Sequence, residues 1–358
     1  MKKNGDNAQK IRVSEAKGRP MLHWVGKTPL DYVKGFPAQL VEVFDPEKKN
    51  GTIQTIAYDG LKDNWHNLLF HGDNKEVLAT LLENGYRGKI DLIYIDPPFN
   101  TGVDYVRHVE LRGLKIDKLD GESYSLQEQI MYYNSYQTDS FLQFLYERLL
   151  LLKELLAQEG AIFIRMDVNW GGYLKVICDE IFGADCFMNQ IMVNRVRKNV
   201  TNQGRLNIPN AVDVLLVYSR KPDWSYSNIK KGVADNKPGY WRAMDSAEVR
   251  SNPDRLIEGK KFSPPPGRHF TFNQERIDQL YKEGKVRLNP KTGKPEYWVD
   301  EKNYLTLDTN WADISGYTFS SGYPTENSEA LLTRVITAAS KSKALVLDCF
   351  VGSGTTCA

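Results

Sequence analysis

Apolar residues run almost unbroken through Lys89-Ile90-Asp91-Leu92-Ile93-Tyr94-Ile95-Asp96 and stop at an acid followed by two prolines. That is the pattern of a buried parallel strand whose C-terminal end meets a loop. From Ser140 to Gln158, Phe141, Phe144, Leu145, Leu149, Leu152, Leu155 and Leu156 recur at helical spacing, with Ser140 placed to cap the start and Gly160 close behind the end. Ala161 to Ile164 reads as a second buried strand and Tyr173 to Phe182, closed by Gly183, as a second helix. Strand, helix, strand, helix predicts a parallel sheet.

After Phe187 the rhythm changes. Two β-rich segments, Phe187 to Val193 and Val212 to Tyr218, flank a polar loop from Arg195 to Asn210 and predict an antiparallel pair. The stretch to about Asn303 holds Pro264-Pro265-Pro266-Gly267, many turn residues and one capped helix near Asn273 to Glu283, the marks of an insertion or a small second domain. Helical spacing returns over Glu326 to Ser340. Ala344 to Asp348 is a final buried strand running into Gly352-Ser353-Gly354.

Length and composition agree with this reading. The chain has 358 residues, 41% hydrophobic and 26% charged, enough for a substantial core and unlike a collagenous, disordered or disulfide-rich protein. Cys178, Cys186, Cys349 and Cys357 form no C-x-x-C pair and no Cys/His cluster, so no metal site is expected and the thiols are expected reduced. No apolar run approaches a membrane span and Met1 to Pro20 has no apolar core of a signal, so a cytoplasmic location is expected. The first 20 residues and the Arg195 loop are the expected mobile segments. Net charge is only +2, but Arg195 to Lys302 holds 22 lysines and arginines against 13 acids. One stretch is therefore locally basic, which suits either a solvated face or a polyanion.

Two loops carry candidate chemistry. Asp96-Pro97-Pro98-Phe99-Asn100-Thr101-Gly102 lies at the carboxyl end of a strand, where open α/β sheets bind ligands. The prolines stiffen the backbone, so the Asp96 carboxylate and the Pro97 carbonyl can form a rigid pair of acceptors for a planar NH2 group beside the Phe99 ring. A tight turn with Phe99 in the core is the competing reading. Leu347-Asp348-Cys349-Phe350-Val351-Gly352-Ser353-Gly354-Thr355-Thr356 ends a strand in an acid and then turns on glycines. It lacks the third glycine of a dinucleotide fingerprint and the G-K-[ST] ending of a phosphate loop, which argues against NAD and ATP. An acid followed by G-x-G suits a ligand carrying an ammonium or ribose hydroxyls.

With these two loops the chain resembles the S-adenosylmethionine-dependent DNA methyltransferases that methylate amino groups, in particular the adenine-N6 enzymes of the permuted beta group. Supporting matches are Leu69-Phe70-His71-Gly72-Asp73-Asn74, the block Phe141 to Asp167, and Tyr323-Pro324-Thr325-Glu326. Trp24-Val25-Gly26-Lys27 and Phe36-Pro37-Ala38-Gln39-Leu40 resemble larger bacterial members, including relatives of type III restriction-modification subunits. The resemblance implies an α/β, Rossmann-like fold with circularly permuted motif order and an inserted mixed α+β target-recognition region. It implies S-adenosylmethionine as cofactor and double-stranded DNA as substrate, with a restriction subunit or a second chain as a further partner. Asp96, Pro97 and Pro98 would grip the target amine and Phe99 would stack on a flipped adenine. Asp348, Phe350, Gly352, Gly354 and Thr355 would line the cofactor pocket, with Asp73 and Thr325 on its other side. The domains would be 1–60 as an extension, 61–194 as the catalytic half, 195–303 as the basic insertion including a strand near 212–218, and 304–358 as the cofactor part.

Two departures qualify the expectation. Family members often follow Tyr-Pro-Thr-Glu with a lysine where this chain has Asn327. The family also continues with a helix, a strand and a ribose-holding acid beyond the glycine loop, which makes the fold read as incomplete at its C-terminus. A catalytically silent DNA-binding fragment or one half of a split enzyme is therefore an alternative function. Methylation of cytosine N4 or of a glutamine amide is another, since each presents an NH2 group; cytosine C5 chemistry is not, because no cysteine follows a proline. No histidine adjoins either loop, and His71 and His108 read as ordinary loop residues.

Overall fold

A computed structural model describes residues 10–13, 21–39, 67–99, 105–108, 128–132, 138–195, 210–227, 229–248, 250, 253–318, 320, 323 and 325–357. The expected mobile segments, Met1–Pro20 and Arg195–Asn210, fall largely outside these residues, as do Asn100, Thr101 and Gly102. Internal contacts divide the chain into two units, Met1–Ser227 with Asp308–Ala358, and Asn228–Leu307.

The first unit is built on a six-stranded sheet: β1 Ile90–Ile95, β2 Leu156–Asp167, β3 Phe187–Asn194, β4 Val212–Ser219, β5 Asn310–Ser315 and β6 Val346–Leu347, in the order β5-β3-β4-β2-β1-β6. β6, β1 and β2 are parallel, as are β5 and β3, and β4 runs against both its neighbours. The sheet is thus mixed rather than purely parallel. Residues 212–219, assigned from sequence to the insertion, form an inner strand of this sheet. Val214, Leu215, Leu216 and Val217 are all buried, and only a strand covered on both faces buries consecutive apolar side chains.

Helices α1 Asn74–Glu83, α2 Thr138–Leu155 and α3 Val168–Phe182 share a core with Ile93, Ile95, Ile162, Ile164, Met166, Val214, Leu216 and Tyr218. Those strand residues are alternate positions, so they define one face of the sheet. Leu149, Leu151, Leu152 and Leu155 of α2 are at most 1% exposed, each contributing roughly 1.5–3 kcal/mol by leaving water. The opposite face carries Tyr94, Phe163, Arg165, Leu215 and Val217, and α4 Glu329–Ala339 packs against β2 and β5. Helix ends follow local chemistry. α3 starts a turn before the apolar pattern does because Asp167 accepts a hydrogen bond from the Trp170 N–H at 3.0 Å. α2 ends at Leu155, short of Gln158, because Leu156 already pairs with Ile90.

The N-terminal residues 21–39 pack on this unit. Trp24 lies 5.6 Å edge-on from Tyr146 of α2, Lys27 is paired with Glu180 of α3 at 2.6 Å, and the Thr80 hydroxyl of α1 donates to the Phe36 carbonyl at 2.8 Å.

The second unit contains a three-stranded antiparallel sheet, Tyr240–Ala243, Pro295–Val299 and Val286–Leu288, and the helix Gln274–Lys282, capped by Asn273. Met244, Ile257, Phe270, Ile277, Leu280 and Val286 form its own core. Trp241 and Trp298 pair edge-on at 5.3 Å, with the Arg287 guanidinium 4.2 Å over Trp241. A Cβ on Gly239 would stand 2.8 Å from Trp298 Cε2. Gly239→Ala is therefore expected to cost about 1–3 kcal/mol by overpacking, seen as faster amide exchange across Asn228–Leu307 with β1–β4 protection unchanged. Unchanged exchange in the second unit would contradict it.

Among the described residues no helix is long and apolar enough to cross a membrane, and no group of three or more His, Cys, Asp and Glu could hold a metal ion.

Candidate active site

The two loops singled out in the sequence meet at one end of the sheet. β6 lies beside β1 in parallel register, Val346 opposite Leu92 and Leu347 opposite Ile93, so Asp348 and Asp96 follow the carboxyl ends of adjacent strands. Asp91 secures the pairing: its Oδ2 accepts from the Leu345 N–H at 2.8 Å. Two segments some 250 residues apart in sequence thus end side by side.

Asp96 is held from one side only. Its side chain is 9% exposed. Oδ2 accepts from Asn327 Nδ2 at 2.9 Å and lies 3.9 Å from Arg165, while Oδ1 is buried and has no hydrogen-bond partner among the described residues. Burial pushes the carboxyl up from 3.8 to about 6, against the Arg165 charge and the Asn327 hydrogen bond, which favour the carboxylate; Asp213 and Asp348 add to the rise. At neutral pH Asp96 is thus an anion with one oxygen unused.

Behind it stands a fully buried cation. Arg165, on the sheet face that also carries Tyr94, donates to the Gly316 carbonyl at 2.7 Å, to Asn327 Oδ1 at 2.9 Å and to Asp213 Oδ2 at 2.8 Å, with its guanidinium 3.7 Å over the Tyr317 ring. Burial opposes its charge, but Tyr317, Asp96, Tyr94 and Asp213 outweigh that and raise its pKa. The Tyr94 hydroxyl also donates to Asn327 Oδ1, at 2.9 Å. Asn327, notable in the sequence only for the lysine it replaces, therefore touches Asp96, Tyr94 and Arg165 together. Arg165 and Tyr94 lie inside segments read from the sequence, but neither they nor Asp213 are among its candidate site residues. The available signal is the charge of Arg165 inside the apolar run Ala161-Ile162-Phe163-Ile164-Arg165-Met166, since a strand buried on both faces tolerates a cation only where partners wait for it.

Pro97 is buried and Pro98 half-buried. Phe99 is 8% exposed and belongs to the main core, with the Arg195 guanidinium 5.9 Å from its ring centroid. Asp348 organises the glycine loop: it accepts from the Phe350 N–H at 2.8 Å and from the Thr356 hydroxyl at 2.6 Å, and burial raises its carboxyl to about 6. Gly352 and Gly354 hold φ of +53° and +86°, the left-handed region open to glycine, and nothing lies within 4 Å of where a Cβ on Gly354 would stand. The Thr355 hydroxyl hydrogen-bonds Ser353 at 2.8 Å.

Asp73 caps α1 by accepting from the Lys75 N–H at 2.9 Å and pairs with Arg148 at 3.2 Å, leaving its side chain 54% exposed. The adjacent Asn74 donates to the Cys349 carbonyl at 3.1 Å, which puts Asp73 beside the glycine loop. Phe144 of α2 lies 6.0 Å from Phe350. Thr325 holds φ of +63°, unfavourable for a β-branched residue and the kind of backbone strain that gathers at functional sites. An exposed carboxylate, open space over glycine backbone and a half-buried phenyl ring form a donor set that fits an ammonium-bearing, partly aromatic ligand such as S-adenosylmethionine.

Comparison with known proteins bears on this arrangement. The family described as "DNA methylase" (N6_N4_Mtase) matches residues 90–358. The chain is 27% identical to the type II methyltransferase M.EcaI of Enterobacter cloacae, over 90% of this chain and 70% of that protein. It is 26% identical to the Mod subunit of the type III restriction-modification enzyme StyLTI of Salmonella typhimurium, over 98% and 57%, and 30% identical to the EcoP15I Mod subunit of Escherichia coli, over 63% and 35%. The chain thus spans little more than half the length of the StyLTI subunit and about a third of the EcoP15I one. Among solved structures, the PvuII DNA methyltransferase, titled cytosine-N4-specific, aligns with a TM-score of 0.41 at 12% identity, over 80% of this chain and 74% of that one.

Proposed function

The chain belongs to the N6/N4 DNA methylase family, and from that premise we propose that it transfers a methyl group from S-adenosylmethionine to the N6 amine of adenine in duplex DNA, the base being flipped out of the helix. Its sheet is the α/β, Rossmann-like core of a methyltransferase, with the catalytic strand β1 preceding the cofactor strand β6 in sequence. The family's methyl donor is S-adenosylmethionine; when bound, it supplies a methyl group on sulfonium sulfur.

The observation that carries the reading is the buried, unpartnered Oδ1 of Asp96 one strand away from the glycine loop. The lone pair of an exocyclic amine is delocalised into its ring, so the nitrogen attacks carbon poorly. An anionic acceptor that draws on an N–H favours the pyramidal nitrogen of the transition state. Asp96 accepts one amine hydrogen through Oδ1 and the Pro97 carbonyl accepts the other. Asp73, Asp348, Phe350, Gly352, Gly354, Thr325 and Thr355 hold the donor. The product amine releases its proton to solvent, so no strong base is required. Phe99 serves as the stacking face once the Arg195 side chain, 32% exposed, swings away from its ring. Adenine is favoured over cytosine because an aspartate heads the loop, as in the adenine group the sequence resembles. The basic stretch Arg195–Lys302 neutralises phosphates, which makes affinity fall with salt. The Mod-subunit names of two relatives favour a restriction subunit as partner.

Incubating the full chain with unmethylated plasmid DNA and methyl-labelled S-adenosylmethionine, then separating nucleosides, tests this. Label in N6-methyl-2′-deoxyadenosine is the expected result. Label in N4-methyl-2′-deoxycytidine would overturn the base assignment, and a folded, donor-binding chain that labels nothing would overturn the activity.

A further inference from the structure

Asp96 presents two unlike oxygens, and the difference is imposed by residues outside its loop. Oδ2 meets the Asn327 amide and faces Arg165; Oδ1 is buried and has no hydrogen-bond partner among the described residues. Asn327 cannot rotate freely, because its own Oδ1 accepts from both Tyr94 and Arg165 at 2.9 Å, which forces Nδ2 toward the carboxylate. Arg165 is fixed in turn by the Gly316 carbonyl, Asp213 and the Tyr317 ring, and a Cβ on Gly316 would stand 2.9 Å from its Cζ. The chain of contacts runs from three separate segments, β2, β4 and the stretch before α4, and ends on one oxygen atom.

We propose that Asn327 and Arg165 are positioning residues for the methylation step: they occupy and orient Oδ2 of Asp96 so that Oδ1 alone, charged and unpartnered, is left to receive the hydrogen of the incoming amine. The inference rests on the activity proposed above and deepens it. A carboxylate free to rotate or to protonate would offer the amine a poorer acceptor, so the effect falls on turnover and not on binding of donor or DNA. The charged and titratable groups facing Asp96 are Arg165 from β2, Asp213 from β4, Asp348 from the glycine loop, Tyr94 from β1 and Tyr317 from the segment before α4. Arg165 is the cation among them, and Asn327 supplies a neutral donor.

The test uses the full chain, its Asn327→Leu and Asn327→Asp variants, and Arg165→Lys, each checked for cooperative melting. Aspartate labelled with carbon-13 at the carboxyl follows Asp96 by NMR, its signal identified by loss in Asp96→Asn. Asn327→Leu should raise the Asp96 titration midpoint by about one pH unit and Asn327→Asp by more, through loss of a hydrogen bond and gain of a like charge. With unmethylated plasmid DNA and S-adenosylmethionine, kcat at pH 6.5 should fall about threefold in Asn327→Leu and further in Asn327→Asp, as the anionic fraction of Asp96 falls, and recover most of that by pH 8.5, with donor KM within about twofold of the parent. Arg165→Lys keeps charge but loses the planar fork, so it should lower kcat at every pH. An Asp96 midpoint unchanged by Asn327→Leu, or a pH-independent loss in Asn327→Asp, would overturn the proposal. Should the parent chain transfer no methyl to DNA, the activity reading fails alone, and the carboxyl titration still decides whether these residues hold Asp96.

Discussion

Asp96→Asn is expected to slow methyl transfer by about 10²–10³-fold and at the same time to make the protein more stable at neutral pH. The first effect follows from replacing the anionic acceptor by a neutral amide in a site otherwise unchanged. Removing one pre-organised polar group of this kind costs about 10²–10³ in turnover. DNA affinity should change little, because phosphate contacts dominate it. The second effect follows from burial. The Asp96 carboxyl sits at about 6 in the folded chain against an ordinary value of 3.8. A carboxyl raised in this way favours the fold fully below about pH 4, and that contribution is lost as pH rises through about 6. The neutral amide keeps it, so Asp96→Asn should gain on the order of 1–3 kcal/mol at pH 7.5 and nothing at pH 3.5. Chemical denaturation at the two pH values measures this. A variant that is slowed but no more stable at pH 7.5 would mean that Asp96 is not desolvated as described. A variant that still methylates at the parent rate would remove Asp96 from the chemistry.

Such opposed effects separate a functional buried charge from a structural one. A structural ion pair loses stability when either member is neutralised. Asp96 has a hydrogen bond on one oxygen, a cation at 3.9 Å and, among the described residues, no hydrogen-bond partner on the other oxygen, so part of its hydrogen-bonding capacity is unused by the fold.

The strands and helices are legible in the sequence because burial writes itself into apolar spacing. Ile90–Ile95 and the helices ending at Leu155 and Phe182 follow patterns that one element can hold by itself, whereas the helix Asn74–Glu83 is not read from the sequence. The two loops are legible because an acid at the end of a buried strand has few structural uses. The reversed strand β4 is visible as a segment, yet its sequence context points to the wrong unit: alternation tells which residues are buried, and not which neighbours bury them. Asn327 and Arg165 are illegible as site residues for a related reason. They lie 162 positions apart, and each alone reads as a lost lysine or a stray charge. Only the sheet, which sets Tyr94 and Arg165 on the same face, and the return of the chain before α4, bring them to one carboxylate. Phe99 marks the opposite case. Its aromatic character suggests an open stacking face, whereas the described structure buries it in the main core beside Arg195, where the competing tight-turn reading of the sequence places it.

The largest loss of stability is expected from Arg165→Met. Asp213 is completely buried, and its Oδ2 relies on Arg165 at 2.8 Å while Oδ1 lies 3.3 Å from Arg195 Nε and has no hydrogen-bond partner among the described residues. Removing the cation leaves that carboxylate without its main partner, whereas the Gly316 carbonyl keeps the Ser328 N–H at 3.1 Å and Asn327 Oδ1 keeps the Tyr94 hydroxyl at 2.9 Å. Loss of one member of a buried pair costs about 3–5 kcal/mol, so the variant should melt well below the parent or fail to fold at 37 °C. The informative comparison is with the double variant Arg165→Met, Asp213→Asn. With both charges gone, the remaining deficit is a few hydrogen bonds, and the double variant should be more stable than Arg165→Met alone by about 2–4 kcal/mol, a coupling that a double-mutant cycle isolates. That rescue should extend to folding and stop short of catalysis, since Asp96 is left without its cation and its carboxyl should titrate higher still. A double variant as unstable as the single one would show that Arg165 stabilises the fold by packing on Tyr317 rather than by charge. A double variant with full turnover would show that Asp96 does not depend on Arg165.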